Sequence, residues 1–212
     1  MGSRFSIAFF AALLAAVAAT PSHAAAPAEP SPVPSAPLVE PPAKLPHIQH
    51  GDPTHNLDFL FEALKLAPDD ETAKAIENRI WAVWLTSRSD TTNLLMLRVK
   101  TAVEAKEDDI ALKLLSAIIK IKPDYVEAWN RRATIYYSRK DYGKALSDIR
   151  EVLKREPRHF GALAGLGLIL QDLGDDKQAL EVYRRALAIY PRLKKIPDVV
   201  KSLAEKVEGR DI

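Results

Sequence analysis

The sequence predicts an all-α protein, a short solenoid of stacked helix-turn-helix hairpins with capping helices at both ends. Three observations lead there. Pro123, Pro157 and Pro191 lie 34 positions apart, and self-similarity at such a period marks a repeat architecture. Ala111, Ala145 and Ala179 keep the same step, as do Leu112, Leu146 and Leu180, while Leu95, Trp129 and Leu163 each precede their proline by 28 positions. Between the prolines, apolar residues recur at the spacing of amphipathic helices.

The first segment obeys other rules. Of 15 prolines, ten fall within the first 53 residues. Arg4 precedes an uncharged run from Phe5 to Ala19, followed by Ser22-His23-Ala24, which predicts a cleavable secretory signal peptide over residues 1–24. Fifteen residues rise about 22 Å as a helix, short of the roughly 30 Å hydrocarbon core, so no stable membrane insertion is expected after cleavage. Residues 25–56 are read as a Pro-rich disordered linker, because a stretch with eight prolines between Pro27 and Pro46 and no apolar periodicity cannot repay its ordering entropy. His47, His50 and His55 with Asp52 have the makings of a loose metal cluster. Flexible histidines bind metals weakly, so no metal or cofactor is expected.

Residues 57–91 are expected to form a helical pair, a degenerate repeat covering the first full one. Leu57 to Leu66 ends at Ala67-Pro68, and Glu71 to Leu85 carries Ala73, Ile76, Ile80, Val83 and Trp84 at helical spacing. The period breaks here, since the stretch between Pro68 and Thr92 is too short for a full step. Three repeats follow, over 92–125, 126–159 and 160–193. In the second, Ala128, Trp129, Ala133, Ile135 and Tyr136 fill one stripe and Tyr142, Ala145, Leu146, Ile149, Val152 and Leu153 another, joined by a turn from Ser138 to Tyr142. Small residues at Ala145, Ala179 and Gly167 allow close helix approach, and each proline stops its second helix by lacking an N–H. Asp124 with Glu127 has the spacing of a capping box for the next helix. Residues 194–212 supply a C-terminal capping helix, with Pro197 in its first turn and Gly209 stopping it.

These residues resemble the tetratricopeptide-repeat family, which implies a right-handed superhelix. Trp129, Ala133, Tyr136, Ala145, Ile149 and Pro157 make the best copy; Leu163, Leu166-Gly167, Leu170, Ala179, Tyr183 and Pro191 make the next. The first is looser, with Leu95, Val99, Ala102, Ala111, Leu115 and Pro123. Arg98 and Arg132 stand where the family often has Leu, and a guanidinium on a packed face needs a partner. Asp148 is the expected partner of Arg132.

By the resemblance, the concave groove is lined by Asn93, Met96 and Lys100 in the first copy, Asn130, Arg131, Thr134 and Tyr137 in the second, and Ala164, Leu168 and Gln171 in the third. Carboxylate-clamp members of the family use spaced Lys, Asn and Arg across three repeats; Ala164, Gly165 and Leu168 leave that clamp incomplete here. A partly apolar groove for an extended peptide or amphipathic helix fits better.

Catalysis is not expected. The chain has no cysteine, which excludes disulfides, thiolate zinc sites and a cysteine nucleophile. Gly161, Gly165 and Gly167 follow no strand and precede no Lys-Ser or Lys-Thr pair, so they are packing glycines and not a phosphate loop. His159 reads as a polar turn residue, and Asp69-Asp70-Glu71 as a charged helix start. The 30 Lys and Arg against 28 Asp and Glu form no basic block, so nucleic acid is not an expected partner. The expected role is a periplasmic interaction module, an adaptor or assembly factor for a protein or peptide of the cell envelope. The alternative is a non-catalytic subunit of an envelope enzyme or maturation complex.

Overall fold

The computed structural model describes residues 53–209, with side chains from Leu57 onward. The expected leader, nearly all of the expected linker and, apart from the backbone of His55, the histidine cluster lie outside these residues.

Nine helices follow one another among the described residues: α1 Pro53–Lys65, α2 Asp70–Leu85, α3 Asp90–Glu104, α4 Asp108–Ile121, α5 Val126–Ser138, α6 Tyr142–Arg155, α7 Phe160–Asp172, α8 Asp176–Ile189 and α9 Ile196–Val207. They form an all-α tetratricopeptide-type superhelix. Helix α1 starts at Pro53, so residues 53–56 are helical and the linker expected to run to 56 stops earlier. Proline suits a helix's first position, where its missing N–H has no partner to lose.

The pairs α3/α4, α5/α6 and α7/α8 are the three hairpins. Each turns through one left-handed residue, Lys106, Lys140 or Gly174, at φ of 60°, 58° and 82° and 34 positions apart. Asp141 and Asp175 then start the second helices of the last two hairpins by accepting the N–H groups of Lys144 and Gln178. The stripe that each first helix turns toward the preceding hairpin is in strict register. Ala128 and Ile135 on α5, Ala162 and Ile169 on α7, and Ile196 and Leu203 on α9 are all buried. The C-terminal cap therefore keeps the register of a repeat's first helix. Close approach inside the third hairpin requires Gly167, since a Cβ there would stand 2.4 Å from Cε1 of the Tyr183 ring.

The packed face of α5 holds Arg132, whose Nε and Nη2 donate to the two carboxylate oxygens of Asp148 on α6, both at 2.8 Å. Its Nη1 donates to Ser116 on α4 at 3.0 Å, so one guanidinium ties three helices. The bidentate bond holds this guanidinium's pKa above its usual value against the opposing effect of burial.

The N-terminal hairpin does not stack below the first repeat as expected. Instead α2 packs on α5, and α1 on α8. Spacing explains why. Ala73 and Ile80 are buried at the register of Ala128 and Ile135, so α2 is a first helix with Glu71 at the register of Val126. On the next first helix that register position is Thr92, 21 positions on where the step is 34, and the shortfall is about one helix. With no second helix between them, α2 cannot take the place of a preceding repeat and folds across the others. Arg192 fixes it, donating to the carbonyls of Ala67 and Pro68 and to Asp70. Arg158 pairs with Asp58 at 2.6 Å and lies over the Phe61 ring at 4.3 Å, and Tyr190 donates to Glu77 at 3.2 Å.

The fold-back leaves the outward stripe of α3 bare. Leu94 and Leu97 are 54% and 59% exposed, and Arg98 stands beside them in solvent. The partner expected for Arg98 is thus absent among the described residues for a physical reason: the helix that would have made this a packed face is missing.

Candidate functional site

The concave face is built by the first helices α3, α5 and α7, and it divides into two zones. The upstream zone is closed by α2. Trp84 stacks on the imidazole of His159, with centroids 4.1 Å apart and planes within 6°, and Trp81 meets both His159 and Phe160 edge-on. Tyr125 donates to the carbonyl of Leu85 at 2.8 Å; burial, and then the charge of Glu127, push its phenol up to about 12. A Cβ on Gly161 would stand 3.1 Å from the tip of Trp81.

Beneath the tryptophans lies a buried polar cluster. His159 caps α7 by accepting the N–H of Ala162 on Nδ1 at 3.0 Å, so the proton sits on Nε2, which donates to Glu127 at 2.9 Å. Glu127 also accepts from Asn130 at 3.3 Å and faces Arg131 Nε at 3.8 Å. His159 stands at the turn between two repeats, as expected, but is fully buried there; both nitrogens are engaged and one ring face is covered. The capping box expected from Asp124 and Glu127 is absent too. Asp124 pairs with Lys122, no side chain caps α5, and Glu127 turns inward to the histidine. His159, Glu127 and Asn130 are hydrogen-bonded to one another, whereas the buried Nε of Arg131 faces Glu127 without a hydrogen bond, and a buried polar atom left unpaired costs about 1–3 kcal/mol.

The residues expected in the groove fall into three groups. Asn93 is spent on the α2–α3 connection, accepting the N–H of Ser87 and donating to its carbonyl, and Met96 is buried. Asn130 donates to Glu127, and Arg131 faces the same carboxylate at 3.8 Å. The remainder form the downstream zone. Lys100, Thr134 and Leu168 stand 34 positions apart, one on each first helix; the lysine is exposed and the other two are half-buried. Next to this row, Gln171 accepts the hydroxyl of Tyr183 at 2.7 Å, and Tyr137 lies against Tyr142, whose hydroxyl donates to Asp172 at 3.1 Å. Burial pushes the Tyr183 phenol upward, so it acts here as a donor. Ala164 is buried and offers no contact surface.

Among the described residues no group of three or more His, Asp or Glu is placed to hold a metal ion, and no helix is long and apolar enough to cross a membrane. What the downstream row can do is bind. Across three repeats it presents an exposed lysine 3.9 Å from Glu104, a threonine whose hydroxyl donates to the Asn130 carbonyl at 3.0 Å, and an aliphatic side chain, with the Gln171 amide beside them.

Sequence reasoning missed Glu127, His159, Trp81 and Trp84. A signal for His159 existed: its register equivalents Tyr125 and Leu193 are both buried, so one repeat step from either places the imidazole in the core.

The family model for the tetratricopeptide repeat matches residues 124–192. A repeat-containing protein of Rhizobium etli is 45% identical over 157 residues, covering 74% of this chain and 77% of its own length. The fold is similar to that of the Sgt2 domain from Aspergillus fumigatus, at 22% identity and a TM-score of 0.52 over 57% of this chain and 81% of that one. It is also similar to the first domain of Spaghetti, which was solved bound to an HSP90 peptide, at 17% identity and a TM-score of 0.53 over 57% of this chain and 95% of that one. At such identities only the fold is shared.

Proposed function

The chain belongs to the tetratricopeptide-repeat proteins, and from that premise we propose that it is a periplasmic protein-interaction module. It serves as an adaptor or assembly factor, takes a peptide or helix of an envelope partner on its concave face, and carries out no chemistry itself. One observation carries this reading: the row Lys100, Thr134 and Leu168 stays at least partly accessible across three repeats, whereas Met96, Asn130 and Ala164, which also recur at the repeat step, are buried. Binding therefore centres on the downstream zone. Structural neighbours that hold peptides support the use of such a face, and the uncharged run from Phe5 to Ala19 with Ser22-His23-Ala24 supports export.

The test is a pull-down from envelope extract with wild-type chain and the Lys100→Glu/Leu168→Glu variant. Wild type should retain a partner that the variant loses. A variant that keeps every partner rules out the groove. N-terminal sequencing of the exported chain should begin near Ala25, and a start at Met1 would overturn the cleaved-leader part of the proposal.

A further inference from the structure

The bare stripe of α3 has a template within the same molecule. On α5, the register-equivalent residues Ala128 and Ile135 are buried because α4, the second helix of the preceding hairpin, lies over them. Arg132 reaches across to that helix through Ser116. On α3 the same positions are Leu94, Thr101 and Arg98. Thr101 is exposed, Leu97 widens the apolar stripe, and no helix among the described residues covers it. Arg98 also lacks the carboxylate its equivalent enjoys. Asp148 pairs with Arg132 in the second repeat, but the corresponding residue of the first is Leu114.

We propose that this stripe is a second interaction surface, which accepts an amphipathic helix from another protein in the position of the missing second helix. The occupant presents an apolar face to Leu94 and Leu97 and a carboxylate to Arg98. Charge selects this occupant, because an aliphatic stripe with an unmatched guanidinium in its middle rewards an acidic partner helix over a basic one. The chain's own residues 25–52 are a poor source, since prolines recur through 27–46 and forbid a continuous helix. An isologous second copy would bring Arg98 near its own mate. The surface is independent of the downstream zone of the concave face, and its test uses different side chains.

The probe is a fluorescent peptide with the sequence of residues 107–122, the segment that performs this covering role for α5, carrying Ser116→Glu. A control peptide carries Ser116→Lys. Titrated by anisotropy against the mature chain, the Glu peptide should bind at least about fivefold more tightly than the Lys peptide, roughly the increment of one charge-assisted contact. Leu94→Glu/Leu97→Glu should abolish binding, and Lys177→Glu, an exposed lysine on α8, should leave it unchanged. In Arg98→Glu the preference should reverse toward the Lys peptide, which a misfolded or merely sticky variant could not produce. Equal binding of the two peptides, no binding, or loss in Lys177→Glu would overturn the proposal. So would light scattering that finds a wild-type dimer dissolved by Leu94→Glu/Leu97→Glu, since a second copy would then own the stripe.

Discussion

The N-terminal hairpin and the three repeats are made of helices of similar length and amphipathicity, yet they are held in different ways. In the second and third repeats and the C-terminal cap each first helix rests on the hairpin before it, and the apolar stripe Ala128/Ile135, Ala162/Ile169, Ile196/Leu203 returns once in every repeat step. The hairpin α1–α2 has the same stripe in Ala73 and Ile80 but lacks the helix that would join it to the series. It is secured by aromatic stacking and by arginines far along the chain, Arg158 and Arg192. A solenoid's regularity thus depends on counting as much as on composition: removing one helix's length from the chain turns a stacked unit into a lid on the concave face.

The largest test of this contrast is Trp84→Ala. It removes the ring stacked on His159 and touching Phe61 and Phe160, and truncation of a buried aromatic costs about 3–5 kcal/mol. Urea unfolding should show that loss, and limited proteolysis should cut the α2–α3 connection while repeats two and three stay intact. Cleavage spread evenly over the chain would mean that hairpin and repeats are one cooperative body. Next in size is Arg132→Leu, which leaves the carboxylate of Asp148 buried without its partner at a cost of about 3 kcal/mol. Arg132→Leu/Asp148→Leu should recover most of it in the same unfolding experiment. An Arg132→Leu chain as stable as wild type would deny the pair its structural role. The smallest effects come from two glycines. Gly167→Ala collides with the fully buried Tyr183 ring and should lower stability by about 1–2 kcal/mol despite alanine's better helix propensity. Gly143→Ala, with nothing within 4 Å of the added carbon, should raise it by up to about 1 kcal/mol. Thermal melts of the two variants should move in opposite directions.

The repeats could be read in the sequence because every unit repeats its own evidence of helix, turn and stop. Pro123, Pro157 and Pro191 each fall just past a helix end, at Ile121, Arg155 and Ile189, and Asp148 could be named as the partner of Arg132 because both lie at fixed register positions. The hairpin's docking could not be read. Nothing local to Trp84 says that it will meet His159, since that contact is decided by a break in spacing and by groups far along the chain. The groove was misjudged for the same reason: its lining was inferred from the first helices alone, and Asn130 and Arg131 are turned to internal use by Glu127. Arg98 illustrates the converse, a residue whose register promised a packed face that the chain never supplies.

The long-range anchors also set an order of events in time. Arg192 holds Ala67, Pro68 and Asp70 across 125, 124 and 122 positions of sequence, so α1 and α2 cannot complete their seat until all three repeat hairpins have been made. Repeats formed from neighbouring contacts assemble quickly as the chain emerges, whereas contacts between distant segments wait for loop closure. Until then the tryptophans of α2 stay solvent-facing on a nascent chain, and this interval is when a chaperone would have most to hold.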